Sequence, residues 1–130
     1  MALVAVGSGA VLGAWLRWWL GMRLNPLFPT LPLGTLAANI IGGYVIGVAV
    51  GAVAAQAGMS PNVRLFVMTG FCGGLTTFST FSAETVSLLS RGQFAWAFGA
   101  IAIHVTTSLA ATALGILSMR LLFTKIGATP

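Results

Sequence analysis

The chain has 130 residues, of which 58% are hydrophobic and only 5% are charged, and its mean hydropathy is +1.01. Soluble domains carry about 25% charged residues, so this composition excludes a soluble protein and predicts about four membrane spans of roughly 20 residues each. The net charge is +5. Because the cations lie mostly at predicted span ends, anionic lipid headgroups suit them better than nucleic acid does.

Too few reactive side chains are present for most enzyme chemistry. The single acid, Glu84, cannot form a general acid/base pair, and the single His104 and single Cys72 cannot make a metal cluster or an intrachain disulfide. The opening residues lack the positive region of a signal peptide, so we expect the first apolar segment to be retained as a span. Transport, conduction and a purely structural membrane role stay open.

The first predicted span covers residues 3–22. Gly9 and Gly13 form a GxxxG pair, which lets another helix approach closely. Arg17 also lies in this span, so it either extends toward the headgroups or is held deeper by a partner.

The second predicted span covers residues 34–56. Gly43, Gly47 and Gly51 recur every fourth residue, which predicts one bare face for backbone-to-backbone packing. Asn39 is the amide near the start of this span. It could join helices by hydrogen bonds, or its two donors could meet an anion.

The third predicted span, residues 63–90, is longer than one moderately tilted span requires. Within it, residues 70–82 combine glycines such as Gly73 and Gly74, which weaken a helix, with a run of hydroxyls. Irregular backbone at membrane depth survives only when it is buried in protein or lines a watery cavity. We therefore predict a break near residues 73–77 and place the working site there. The hydroxyls are those of Thr76, Thr77, Ser79, Thr80 and Ser82.

Two aromatic residues follow this predicted break. Phe78 and Phe81 are three residues apart, so they share one helix face, and ordinary packing is the usual explanation for such a pair. Their alternation with hydroxyls favours a second interpretation, because aromatic ring edges are electropositive and suit an anion. The carbonyls freed over Gly73–Thr76 could hold a small cation.

Glu84 is an acid inside the third span, where an ionisable group is costly unless it is paired or solvated. Its natural partner is Arg17 in the first span, and we expect a structural pair near one membrane face. The alternative is that Glu84 serves as a proton or cation site.

The fourth predicted span covers residues 94–123. His104, Ser108 and Thr112 repeat every fourth residue and form a polar stripe on an otherwise apolar helix. The stripe could hold helices together or could line a pore, and the pattern does not decide between them. Together with the hydroxyls of the third span, it gives a polar path with no acid lining it, which favours an anion.

The distribution of basic residues predicts no firm orientation. With a cytoplasmic N-terminus, Arg64, Arg120 and Lys125 would lie inside, and Arg23 and Arg91 outside. A small four-span protein with such a balance can insert both ways and pair antiparallel, which we state as a hypothesis.

Several motifs resemble one family closely. The run G-F-C-G-G-L-T-T-F-S-T-F-S-A-E, at Gly70–Glu84, resembles the motif of the CrcB/Fluc family of fluoride channels. The segments G-A-W-L-R-W at Gly13–Trp18, G-T-L-A-A-N at Gly34–Asn39 and G-G-Y at Gly42–Tyr44 are similar to the family's in order and spacing. The resemblance covers nearly the whole chain.

This resemblance implies a fold and an assembly. It implies an all-α membrane protein, a single domain over residues 1–130, with four transmembrane helices per subunit and a broken third helix. Two copies would form an antiparallel, dual-topology homodimer with two fluoride pores, each built from both subunits, in a bacterial inner membrane. The expected partners are fluoride, the lipid bilayer and a second copy, without nucleic acid.

The resemblance also implies roles for individual residues. The carbonyls of Gly73 and Thr76 would hold a structural sodium ion that is not transported, and Arg17 and Glu84 match the family's conserved polar positions. The expected pore residues are Asn39, Thr77, Phe78, Ser79, Phe81, His104, Ser108 and Thr112.

The implied activity is passive export of cytoplasmic fluoride, which gives fluoride resistance, and not an enzymatic reaction. One alternative is a small dual-topology multidrug exporter, which needs an acid in its first span, where this sequence has Arg17 and no acid. The other alternative is a structural membrane protein that transports nothing.

Overall fold

The computed structural model describes residues 1–55 and 57–125, and these residues form helices and short connections without any strand. Four helical segments in this part of the chain are long and apolar enough to cross a membrane. The all-helical class and the number of spans predicted from composition are thereby confirmed.

The first two spans are simple helices. Helix α1 is Ala2–Leu24, and a 3-10 turn at Asn25–Leu27 leads toward helix α2, Leu33–Ala54. Asn25 ties this connection to α2, because its Oδ1 accepts the Gly34 N–H at 2.8 Å. The predicted end of the second span at Gln56 lies outside the described residues, as does the chain from residue 126 onward.

The third span consists of two helices. Helix α3 covers residues 61–75, where a π-helical stretch, Leu65–Cys72, lies between the α-helical pieces Pro61–Arg64 and Gly73–Leu75. Helix α4 is Phe78–Ser90. The fourth span is helix α5, Phe94–Lys125.

Thr76 and Thr77 lie between α3 and α4 in extended conformation, with φ/ψ of −78/153° and −150/114°. Gly73 remains helical at −63/−37°, so the residues outside helical geometry are the threonines and not the glycines before them. Thr77 is the N-cap of α4, since its hydroxyl accepts the Thr80 N–H at 3.1 Å.

Glycines bring the backbones of α1 and α3 into direct contact. A methyl group on Gly9 would lie 2.8 Å from the Phe71 nitrogen, and one on Gly13 would lie 2.7 Å from the Leu75 nitrogen. The GxxxG pair of α1 therefore has the close-packing role that its spacing predicts, because larger side chains at these positions would push the helices apart.

Glycines also set the contact between α2 and α5. A Cβ atom on Gly51 would lie 2.8 Å from the Met119 Cβ, and one on Gly43 would lie 3.0 Å from the Ser108 carbonyl. This confirms the bare face predicted from the four-residue repeat. It also places the polar stripe of α5 directly against α2, beside Asn39.

Candidate functional site

Asn39 joins helix α2 to the two extended threonines. Its Oδ1 accepts the Thr77 N–H at 2.8 Å, and its Nδ2 donates to the Thr77 carbonyl at 3.2 Å. One amide side chain therefore bonds both backbone polar groups of a residue that is 5% exposed. Because buried backbone groups must be paired, Asn39 supplies partners where the helix ladder ends.

Carbonyls at the end of α3, including those of Gly73 and Thr76, lose their usual helical donors at this point. In a continuous helix the Gly73 carbonyl would accept the Thr77 N–H, but that group donates to Asn39. The Thr76 carbonyl would accept the Thr80 N–H, but that group donates to the Thr77 hydroxyl. Gly73 and Thr76, the residues assigned to a cation from the sequence, are thus among the residues whose carbonyl oxygens have no helical partner where the helix ends.

Arg17 and Glu84 have different polar partners, which corrects the pairing expected between them. The Arg17 Nη1 donates to the Thr76 carbonyl at 3.4 Å. The Glu84 Oε1 accepts the Thr35 hydroxyl at 2.6 Å. The physical reason is that the freed Thr76 carbonyl lies within reach of Arg17, whereas the Thr35 hydroxyl on α2 lies within reach of Glu84.

Thr35 is a site residue that the sequence reasoning missed. It is buried, with 4% exposure, and lies one helical turn before Asn39 on α2. The four-residue spacing of Thr35 and Asn39 is the signal that could have found it, since the two side chains share one helix face.

The hydroxyls of the predicted polar segment form a local cluster around Thr77. The Thr77 Oγ1 lies 2.9 Å from the Thr80 Oγ1 and 3.2 Å from the Ser79 Oγ. Ser79 and Thr80 are themselves exposed in the single chain. The cluster therefore presents hydroxyls on the side of the interruption where Arg17 lies.

Three rings stand together on the other side. The Phe78 and Phe81 ring centroids are 5.6 Å apart, and the Phe81 and His104 centroids are 4.7 Å apart. Phe78 is 79% exposed, whereas His104 is 4% exposed. The row of rings thus runs from the surface of the chain into its interior.

The structure distributes the predicted pore residues over two cavities. The first, with a volume of about 530 Å³, includes Asn39, Phe78, Phe81, His104 and Ser108 in its lining. We call it the aromatic cavity. Gly73 and Thr76 also border it.

A second cavity of about 630 Å³ is bordered by Arg17, Thr35, Ser79 and Thr80. We call it the arginine cavity. Ser79 therefore lies apart from the aromatic residues with which it was grouped, and Thr77 borders both cavities. Thr77, in the interruption, therefore forms a wall between the cavities.

Thr112 borders neither cavity. Its hydroxyl donates to the Ser108 carbonyl at 3.0 Å within its own helix. A Cβ atom on Gly43 would lie 3.3 Å from this hydroxyl, so Thr112 packs against α2. The polar stripe of α5 is thus uneven: His104 bonds across to α2, whereas Thr112 bonds within its own helix.

These features define a class of protein: a multi-span helical membrane protein whose irregular backbone lies between two cavities, as expected where a span serves a small solute or ion. A family model described as "CrcB-like protein, Camphor Resistance (CrcB)" matches residues 4–116. The chain belongs to this CrcB family.

Relatives of known name cover almost the whole chain. A protein from Nitrosospira multiformis named "Fluoride-specific ion channel FluC" is 64% identical, over 92% of this chain and 93% of that protein. A protein with the same name from Pseudomonas syringae pv. maculicola is 57% identical, over 95% of this chain and 98% of its own length. Another from Chromobacterium violaceum is 61% identical, over 90% of this chain and 93% of its own length.

Proposed function

We propose that this protein is a fluoride-selective channel that lets cytoplasmic fluoride leave a bacterial cell passively across the membrane. The observation that carries the proposal is the aromatic cavity, where an amide, a hydroxyl and two phenylalanines meet and the described lining residues include no carboxylate. Relatives at 57–64% identity are named as fluoride-specific channels and not as enzymes. An anion suits such a lining, because carboxylates would repel it.

The chemistry of the lining suits a small and strongly hydrated anion. Fluoride must exchange its water for other donors, and the hydroxyl of Ser108 and the electropositive edges of Phe78 and Phe81 can provide favourable contacts. A narrow path with closely spaced donors discriminates among anions by size. An inside-negative potential would drive an anion outward without an energy source.

We propose that the working unit is an antiparallel, dual-topology homodimer. Gly70 and Gly74 are packed against α1, but a Cβ atom at Gly73 would meet nothing within 4 Å. Packing within one chain therefore gives no reason for glycine at this position, whereas a second copy approaching the open side of the aromatic cavity does. The nearly balanced basic residues support two orientations in the membrane.

We propose that the Gly73 and Thr76 carbonyls hold a structural sodium ion where two copies meet. The residues fit such an ion, because both carbonyls have lost their helical donors and carbonyl oxygens are suitable ligands for a hard cation. Among the described residues no three His, Cys, Asp or Glu side chains cluster as metal ligands, so the backbone would supply the ligands. Bound sodium would add a fixed positive charge beside the wall between the cavities.

Arg17 also donates to the Thr76 carbonyl, at 3.4 Å. A carbonyl oxygen has two lone pairs, so one contact leaves capacity for another. Arg17 would hold the interruption from the side of the arginine cavity. Glu84, bonded to Thr35, would stay turned toward α2.

Fluoride efflux from liposomes tests the channel. Purified protein is reconstituted with internal fluoride, a potassium ionophore sets the potential, and an electrode follows release. We expect rapid efflux of fluoride and little efflux of chloride. No efflux from protein that is demonstrably folded would refute the proposal.

A further inference from the structure

We infer that His104 is a positioning residue, neutral and protonated at Nε2, that holds the Asn39 amide in the orientation bonding Thr77. This deepens the proposed function, on which its link to efflux rests. The juxtaposition that carries it is a contact of 3.3 Å between the Asn39 Nδ2 and the His104 Nδ1.

The backbone fixes the orientation of the Asn39 amide. The Thr77 N–H can only donate, so the atom 2.8 Å from it is the carbonyl oxygen Oδ1. The Thr77 carbonyl can only accept, so the atom 3.2 Å from it is Nδ2. The oxygen and nitrogen of a side-chain amide are usually hard to tell apart, but at Asn39 the two Thr77 backbone groups decide which is which.

The amide orientation in turn fixes the proton on His104. Asn39 Nδ2 carries two hydrogens, and while one points to the Thr77 carbonyl the other faces the imidazole. The His104 Nδ1 must then be an acceptor, because a proton on it would set two donors against each other. In the neutral ring, the proton lies on Nε2.

The burial of His104 argues that this contact has a role. The residue is 4% exposed, and its Nε2 is buried without a hydrogen-bond partner among the described residues. An unpaired buried donor costs free energy. A residue that carries one therefore calls for an explanation, such as a role for another atom of the same side chain. At His104 that atom is Nδ1, and the Phe81 ring, with its centroid at 4.7 Å, keeps the imidazole in place.

The tautomer can be read directly, since the chain has one histidine. We expect 15N and 13C solid-state NMR spectra of the labelled protein in liposomes to show one neutral imidazole, protonated at Nε2, at neutral pH. A ring protonated at Nδ1, or an imidazolium, would overturn the inference. This reading requires no variant and no fluoride, so it stands apart from the test of channel activity.

Two substitutions separate the two ring nitrogens. H104N keeps an acceptor near the position of Nδ1, whereas H104Q places its amide near the position of Nε2 and leaves Asn39 Nδ2 without its acceptor. We expect fluoride efflux of H104Q to be about fivefold lower than that of H104N, the size expected from one lost hydrogen bond. L114A, at a position on α5 that is 57% exposed, controls for substitution in this helix.

The outcomes are distinct. Efflux of H104Q equal to or above that of H104N would overturn the positioning role while leaving the channel intact. Absence of efflux from the unmodified protein would instead refute the proposed function, and the NMR spectrum would still decide the tautomer. If both variants fail to fold, the tautomer of the unmodified protein remains the deciding measurement.

Discussion

The aromatic and arginine cavities lie on either side of Thr77, yet they differ in chemistry. The aromatic cavity is lined by rings, by the Asn39 amide and by Gly73, where a Cβ atom would meet nothing within 4 Å. The arginine cavity has a guanidinium and a cluster of hydroxyls. A neutral lining can pass an anion without binding it tightly, whereas a fixed cation attracts an anion but also retains it.

The backbone interruption is held by a different side chain from the direction of each cavity. Asn39 bonds the Thr77 backbone beside the aromatic cavity, and Arg17 bonds the Thr76 carbonyl from the arginine cavity. Each extended threonine thus has its own side-chain partner from a different helix. Substitutions at these partners should therefore affect the two sides to different degrees.

The largest effect is expected from Asn39→Leu. Leucine has a similar size but cannot bond Thr77, so a buried N–H and a buried carbonyl lose their side-chain partner, at a cost of about 1–3 kcal/mol for each unsatisfied group. We expect a clear fall in the thermal unfolding midpoint in detergent together with loss of fluoride efflux. Ile40→Leu, the next position on α2, is the control. Unchanged stability in the Asn39 variant would show that the interruption does not depend on this amide.

A second and more selective effect is expected from Phe78→Ile, which changes only the aromatic cavity. Because Phe78 is 79% exposed in the single chain, its truncation removes little buried area within the subunit and should cost less than about 1 kcal/mol of subunit stability. Fluoride efflux should nevertheless fall at least about tenfold, which corresponds to about 1.4 kcal/mol.

Phe98→Ile is the matched control for Phe78→Ile, since Phe98 is 65% exposed on α5 and borders neither cavity. Equal efflux from the two variants would mean that Phe78 is an ordinary packing residue. Fluoride conduction would then not depend on the aromatic ring at this position.

The helices could be predicted from the sequence because membrane spans follow from composition and length. Glycine spacing also predicted the two close helix contacts, at Gly9–Gly13 and along Gly43–Gly51, since a four-residue repeat lies on one face whatever the tertiary context. Of the eight residues predicted to line a pore, six border the aromatic cavity and two, Ser79 and Thr112, do not, and their pore roles stay a prediction. The six are Asn39, Thr77, Phe78, Phe81, His104 and Ser108.

The hydrogen-bond partners could not be predicted in the same way. Arg17 and Glu84 form the obvious charge pair on paper, yet a carbonyl and a hydroxyl are their partners, and both become available only through the fold. The division of Ser79 from the aromatic residues has a similar cause, because the two extended threonines change the direction in which side chains point after Leu75. Periodicity cannot give this change of direction, since it assumes one continuous helix.

The smallest effect is expected from Arg17→Gln, which changes only the arginine cavity. The contact with the Thr76 carbonyl is long, at 3.4 Å, so its loss should cost no more than about 1 kcal/mol and reduce efflux by about two- to fivefold. Arg23→Gln is the control on the same helix, because Arg23 is exposed and lies over the Trp19 ring at 5.9 Å. A loss of efflux as large as that of Phe78→Ile would mean that the guanidinium binds the permeating anion directly. The two cavities would then form consecutive stages of one path, and Arg17 would not serve only to support the interruption.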